Sequence, residues 1–411
     1  MIKIQPCFGL AETDAPLLSP LDAARLARAF AAVLPPGGRV LLAGDGSGGV
    51  VPAMLGCSAQ MAFMGHPVTD GSGCRVSMLH DLIPRLGFAG GMGFFGKSCF
   101  VVGADGRCPN DALWNWILAM YDGGSPEDLP EAAASGKEAL PETALSDYWK
   151  HLSECVDAAP IRKAGLRVAC CGLPESARFG EIFGVEMLPF SCPEAAAEAL
   201  PYVRGICGLI FESSGKRLTL IDGNGKICTP DSTMLLGSAI ALERGEKSVV
   251  FGGLSTKSWR ELMLKYNLNP CTVPSGEGSA IVSGRVCGDL DGAFSFGGNP
   301  GYDALRSAAY ILSFLAESGS LAEPLNRLRH YHLQRRELAG VAANPLRLKG
   351  RFTADDVSEY LGGIRFDFTD GGLLVQKRAY GGVLIVSEAK KLQDARERLE
   401  IASQFLTGGE Q

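Results

Sequence analysis

The sequence predicts a multidomain α/β protein, and three observations predict it. The chain has 411 residues, too many for one hydrophobic core at roughly 100–200 residues per domain. Apolar residues make up 46% and charged ones 20%, a globular balance that can fill several cores. Along the chain, helical apolar periodicity alternates with short strand-like runs, the order of layered α/β domains.

Composition also excludes some classes of function. A formal charge of −6 argues against binding nucleic acid, because phosphate backbones recruit basic faces. No uncharged apolar run approaches the ~18 residues of a membrane span. The opening Met1-Ile2-Lys3-Ile4-Gln5-Pro6 lacks the apolar core of a secretion signal. The 13 cysteines include adjacent Cys170 and Cys171 but no CxxC pair, which fits reduced, buried thiols and a cytoplasmic location. Among the 5 histidines, His330 and His332 are two apart with no cysteine nearby, so zinc ligation is not expected.

The elements follow in order. Ser19 caps a first helix, with Pro20 and Asp22 in its first turn and Leu26, Phe30, Val33 and Leu34 on one face. After Pro35-Pro36-Gly37-Gly38, the run 40–43 reads as a buried strand leading into the glycine-rich loop 44–49. A loop-like stretch at 123–141 opens a second unit with strands at 166–171, 185–190 and 209–211. The strand 218–221 turns through Asp222-Gly223-Asn224-Gly225 to pair with 226–228. A third unit has a strand at 248–251, a helix at 258–266, a glycine-rich segment at 284–301 and a helix at 302–317. The basic stretch 327–336 reads as a helical linker. The last unit is a small α+β domain: strands carrying Ile364, Phe366 and Phe368, then 373–375 and 383–386, and a closing helix at 389–405.

These segments, taken together, resemble the α-D-phosphohexomutases, the phosphoglucomutase and phosphomannomutase superfamily. The likeness runs from Tyr148-Trp149 through 161–168, across 211–226, through Gly288-Asp289 and Gly292, and into 364–389. It covers nearly the whole chain in order. It implies four domains around a central cleft, at 1–142, 143–226, 227–335 and 336–411, the first three related α/β units and the fourth a smaller α+β domain. In that family a phosphoserine exchanges its phosphoryl group with a sugar phosphate, and a magnesium ion held by three aspartates neutralises the charge in transit.

The loops depart from the family pattern. Where the metal loop reads Asp-Gly-Asp-x-Asp-Arg, this chain has Glu212-Ser213-Ser214-Gly215-Lys216-Arg217, so Glu212 is the one surviving candidate ligand and no magnesium site is expected. Lys216 either supplies the missing positive charge or is an ordinary turn lysine. Where the family has Thr-Ala-Ser-His-Asn-Pro, Gly90-Gly91-Met92 is followed by Gly93-Phe94-Phe95-Gly96-Lys97-Ser98, which makes Ser98 and Lys97 the candidate catalytic residues. Gly91, Gly96, Lys97 and Ser98 also spell a phosphate-loop pattern, but the strand-like run after them argues against a nucleotide site. The sugar loop survives in part as Gly288-Asp289, with Ala293 in place of a histidine. In the fourth domain Lys377, Arg378, Gly381 and Gly382 are candidates for a substrate phosphate, alongside Lys216 and Arg217. Phe8-Gly9 matches the family's first loop but Asp14 stands where an arginine belongs, and Asp45 matches while Gly44 replaces the arginine before it.

Groups of this kind act as a unit, so losing several together points to a protein without the normal mutase reaction. The expected function is binding of a phosphosugar or another small anion, as a pseudoenzyme or as a partner subunit. Two alternatives are an active, metal-independent phosphotransferase using Ser98, and a structural interaction scaffold with a vestigial cleft.

Overall fold

The computed structural model describes residues 2–408 apart from 6–9, 14–16, 110, 122–136, 253–254, 274–285, 290–291, 297–300, 329–330, 340–343, 361–362 and 379–381. The N-terminal unit comprises β1 (Ile2–Gln5), β2 (Leu10–Thr13), α1 (Pro20–Ala31), β3 (Val40–Gly44), α2 (Val51–Phe63), β4 (Val68–Ser72), α3 (Val76–Leu86), β5 (Gly90–Phe95), β6 (Ser98–Gly103), α4 (Asp111–Tyr121) and β7 (Lys137–Ala139). Its strands form one mixed seven-stranded sheet in the order β1-β2-β6-β5-β3-β4-β7. Ser19 caps α1 as its sequence predicts, its Oγ accepting from the Asp22 amide at 3.0 Å. Helices α1, α2 and α4 share one core on one face of the sheet, while α3 packs on the other.

The second unit begins with α5 (Glu142–Ser153) and α6 (Ala158–Ala164), followed by β8 (Arg167–Cys171), α7 (Ser176–Phe183), β9 (Glu186–Pro189), α8 (Pro193–Ala199), β10 (Cys207–Phe211) and β11 (Leu218–Ile221). Its sheet order is β11-β10-β8-β9. In the third unit come α9 (Pro230–Glu243), β12 (Val249–Gly252), α10 (Lys257–Lys265), β13 (Cys271–Val273), β14 (Val286–Asp289), β15 (Phe294–Ser295), α11 (Ala304–Ser318) and α12 (Ala322–Leu328), with sheet order β13-β12-β14-β15. The fourth has β16 (His332–Ala339), β17 (Asp356–Tyr360), β18 (Gly363–Phe368), β19 (Gly371–Arg378), β20 (Gly382–Ala389) and α13 (Leu392–Leu406), its sheet antiparallel in the order β16-β20-β19-β18-β17.

The units share apolar cores across their boundaries. One cluster runs from Leu79 and Leu82 through Tyr148, Ile161 and Leu209 to Ile240, Leu305 and Leu312. A second joins Phe251 and Trp259 to Leu374, Leu384 and Val386.

Some local expectations need correction. Residues 332–336 are strand, not helix, because β16 finds a ready partner in β20, with Arg335 opposite Val386 and Arg336 opposite Ile385. Edge strands tolerate such charges, whose apolar stems lie along the sheet while the heads reach water. In the stretch 123–141, Lys137–Ala139 adds an edge strand to β4, and 122–136 lies outside the described residues. The main partner of β11 is β10, and the expected return is a short one, made by the bridge between Ile221 and Ile227 with the Asp222 amide donating to Lys226 O at 3.0 Å and the Cys228 amide to Leu220 O at 2.8 Å. Ala389 ends β20 instead of opening the last helix.

Candidate functional site

The loop after β10 lies where the first three units join. Within it, the Glu212 amide donates to the Arg217 carbonyl at 3.1 Å and the Gly215 amide to the Glu212 carbonyl at 2.9 Å. Two neighbouring helices then seize its carbonyls. The Val76 amide, at the start of α3, donates to Ser214 O at 3.0 Å, and the Ala304 amide, at the start of α11, donates to Gly215 O at 2.8 Å. Both helix starts thus have an amide satisfied by this loop. Arg217 bridges Ala293 across an antiparallel contact, which brings the loop after β10 beside the chain that leads into β15.

Lys216 points into the joint between the first two units. It is 5% exposed, its Nζ lying 4.0 Å from Cys108 Sγ and 5.1 Å from the centroid of the Phe100 ring. Phe100, Phe95 and Val76 form a small apolar cluster there. Arg75 flanks it: its guanidinium grips both oxygens of Glu175, at 2.8 and 3.2 Å, and reaches Ser213 O at 3.3 Å. Sequence spacing gave no hint of this clamp, since Arg75 and Glu175 are 100 residues apart.

The segment expected to carry the nucleophile is a tight hairpin. Strand β5 runs through Phe95, β6 starts at Ser98, and Phe95 pairs with Ser98. Only Gly96 and Lys97 turn the corner, Gly96 with φ of 56°, the two-residue turn with glycine first. Lys97 is exposed and Ser98 half-buried. Because strand side chains alternate, Ser98 shares a face of β6 with Phe100, the ring under Lys216.

The remaining predicted residues fall as follows. Glu212 is half-exposed and stands 3.9 Å from the Arg217 guanidinium. Asp289, at the end of β14, is buried, and its Oδ1 accepts from the Ala293 amide at 3.2 Å. Gly288 lies inside β14 against Met234 and Phe294. Lys377 is exposed near the end of β19, Gly382 is buried at the start of β20, and Arg378 pairs with Gly382 in the ladder. Phe8, Gly9, Asp14 and Gly381 lie outside the described residues. Among the described residues, no three His, Cys, Asp or Glu side chains gather as metal ligands would.

A second polar cluster ties the fourth unit to the third. Glu388, fully buried on β20, accepts from the Lys257 amide and, at 3.4 Å, from the Ser258 amide at the start of α10. Burial pushes its carboxyl up to about 7, against the pull of those amides and of Arg365. Arg365 in turn holds Asp367 at 2.5 Å and the Ser255 carbonyl at 2.6 Å.

This arrangement of four sheets is also found in solved structures. A phosphoglucomutase/phosphomannomutase family protein from Burkholderia thailandensis superposes with a TM-score of 0.77 at 16% identity, covering 99% of this chain and 98% of its own. The fold is that of a phosphohexomutase. A protein from Thermus thermophilus that carries the phosphomannomutase name superposes at 0.76 and 17% identity over 96% of this chain and 99% of that one. Parafusin, a phosphoglucomutase from Paramecium, does so at 0.67 and 11% over 95% and 92%. No family model matches the sequence, and no curated protein does either. The likeness is one of fold at 11–17% identity, and the loops of the junction are read from their own chemistry.

Proposed function

We propose that this protein binds a phosphosugar or a related small anion in a phosphohexomutase-type cleft and does not perform magnesium-dependent phosphoryl transfer. The observation that supports this most is the place of Lys216, a buried ammonium set on Phe100 in the loop where the family collects carboxylates. Magnesium requires near-octahedral oxygen ligands. The loop offers Glu212 alone, which already faces Arg217 at 3.9 Å. These residues do not fit the ion. The two-residue turn at Gly96-Lys97 likewise leaves little room for a loop-borne phosphoserine.

What the chain retains suits recognition. Arg217 and the exposed Lys97 and Lys377 are cations for an anion, and the sequence adds Arg378, Gly381 and Gly382 as candidates beside Lys377. The Gly288-Asp289 end of β14, beside Arg217, offers an acceptor and backbone groups for sugar hydroxyls.

Thermal unfolding with glucose 6-phosphate, with mannose 6-phosphate and with inorganic phosphate tests this reading, each with and without EDTA. A rise in Tm with a hexose phosphate, unchanged by EDTA and without interconversion in a coupled assay, is the expected result. A phosphoryl group on Ser98 by intact mass, together with turnover, would replace it with the active phosphotransferase.

A further inference from the structure

Two side chains able to react with each other meet in the joint between the first two units. The Lys216 Nζ lies 4.0 Å from the Cys108 Sγ, although 108 residues separate them in the chain. Each side of this contact is fixed by its own unit. Cys108 follows a turn closed by the Gly103 amide on Arg107 O at 2.7 Å and by the Gly106 amide on Gly103 O at 3.0 Å. The His80 ring on α3 donates from Nδ1 to Gly106 O at 2.6 Å and ties that turn to the helix. Across the joint, the carbonyls of Ser214 and Gly215, just before Lys216, are captured by the starts of α3 and α11.

The surroundings suit a bond between the pair. A cysteine attacks as its thiolate, and a neighbouring ammonium favours that form. Cys108 keeps 7% of its surface exposed, whereas Cys57, Cys99 and Cys207 are sealed at 0%. Burial pushes those three thiols up, which keeps them inert. The lysine sits on Phe100, in an apolar cluster with Phe95 and Val76. Such an enclosure shields a reactive sulfur from hydrolysis.

We infer that Cys108 and Lys216 form a covalent sulfur–nitrogen link when the protein meets hydrogen peroxide. In the first step the Cys108 thiol attacks one peroxide oxygen and the O–O bond breaks, leaving a sulfenic acid and water. Sulfur gives up a pair of electrons and the peroxide takes them. In the second step the Lys216 nitrogen attacks that sulfur, an S–N bond forms and the S–O bond breaks. The ammonium sheds one proton to solvent and another to the departing hydroxyl, which leaves as water. Peroxide is the sole oxidant in this sequence. Backbone nitrogens condense with sulfenic acids in the same way, and the flexible lysine stem supplies the reach. The product ties the first unit to the second and takes the Lys216 charge out of the joint.

Peptide mapping by mass spectrometry, after treating the full chain with hydrogen peroxide, tests the link. The wild type is expected to yield the Cys108 and Lys216 peptides joined, lighter than their sum by two hydrogen atoms. Dithiothreitol should attack the sulfur, free the amine and abolish the joined species. Lys216→Met keeps the stem but offers no amine, so its Cys108 should carry two oxygens instead. Because the link closes a span of 108 residues, the linked wild type should unfold at higher urea than the same sample after reduction. The exposed Cys271 reports that the oxidant acted. Oxidised Cys271 beside an unlinked Cys108, a joined pair that retains an oxygen, or a link from Lys216 to another cysteine would overturn the inference.

Discussion

The Lys216 ammonium stands over the Phe100 ring, 5.1 Å from its centroid, and pins the loop after β10 to the β5–β6 hairpin. A buried cation on an aromatic face is worth about 0.5–2 kcal/mol, and its four-carbon stem adds packing. Lys216→Met, which keeps the stem, should change stability by no more than about 1 kcal/mol, whereas Lys216→Ala should lose about 1–3 kcal/mol. Urea unfolding of the two variants measures the difference; equal effects would show that charge rather than packing holds the joint.

Gly215 has the least room to change in the same loop. Its φ is 78°, and a Cβ there would lie 2.7 Å from Ser77 Oγ and 3.0 Å from Arg75 Cβ. Gly215→Ala should cost about 1–3 kcal/mol through backbone strain and displacement of α3. The expected outcome is a lower urea midpoint with an unchanged slope.

Arg75 and Glu175 join the first two units through a two-pronged ion pair with side chains 7% and 17% exposed. Removing one partner of so enclosed a pair leaves a charge uncompensated, so Arg75→Ala should cost about 3–5 kcal/mol. Arg75→Ala/Glu175→Gln should recover part of that loss. A double-mutant cycle gives the coupling, and strict additivity would deny it.

Glu388 makes stability depend on pH near neutrality. Its carboxyl titrates at about 7 in the folded protein, above the ordinary value of 4.5, because burial opposes its charge. A raised folded value means that its contribution is fully present below about pH 4.5 and is lost as pH rises through about 7. The span corresponds to something on the order of 3 kcal/mol. The wild type should gain stability relative to Glu388→Gln as pH falls from 8 to 5 (about three units around this titration), in denaturant melts at each pH. Parallel curves for the two proteins would contradict the assignment.

Much of the fold was legible because local chemistry and tertiary packing agree. The Ser19 cap, the buried run at β3 and the alternation of Ile364, Phe366 and Phe368 in β18 each announce their element, and the structure keeps them. His332–Ala339 was not legible, since its strand state depends on β20, some fifty residues later, and its charged composition suits a helix as well. At the junction, the sequence singled out the loop 212–217 and the lysine at 216, which the structure places between the units. It did not identify Phe95, Phe100, Arg75 and Glu175 as the material that fills the joint, because their association is made by three sheets folding together and leaves no spacing to read. The apolar outer face of α2 shows in its composition but not in its periodicity, since only Ser58 and Gln60 interrupt its apolar and small residues and they do not mark which side meets water.

The most direct test of the central claim is calorimetric titration of Mg²⁺ into the purified protein. The predicted result is no saturable heat beyond dilution, as expected for a loop that sets Lys216 and Arg217 beside a single carboxylate. One-to-one binding that disappears in Glu212→Ala would contradict it.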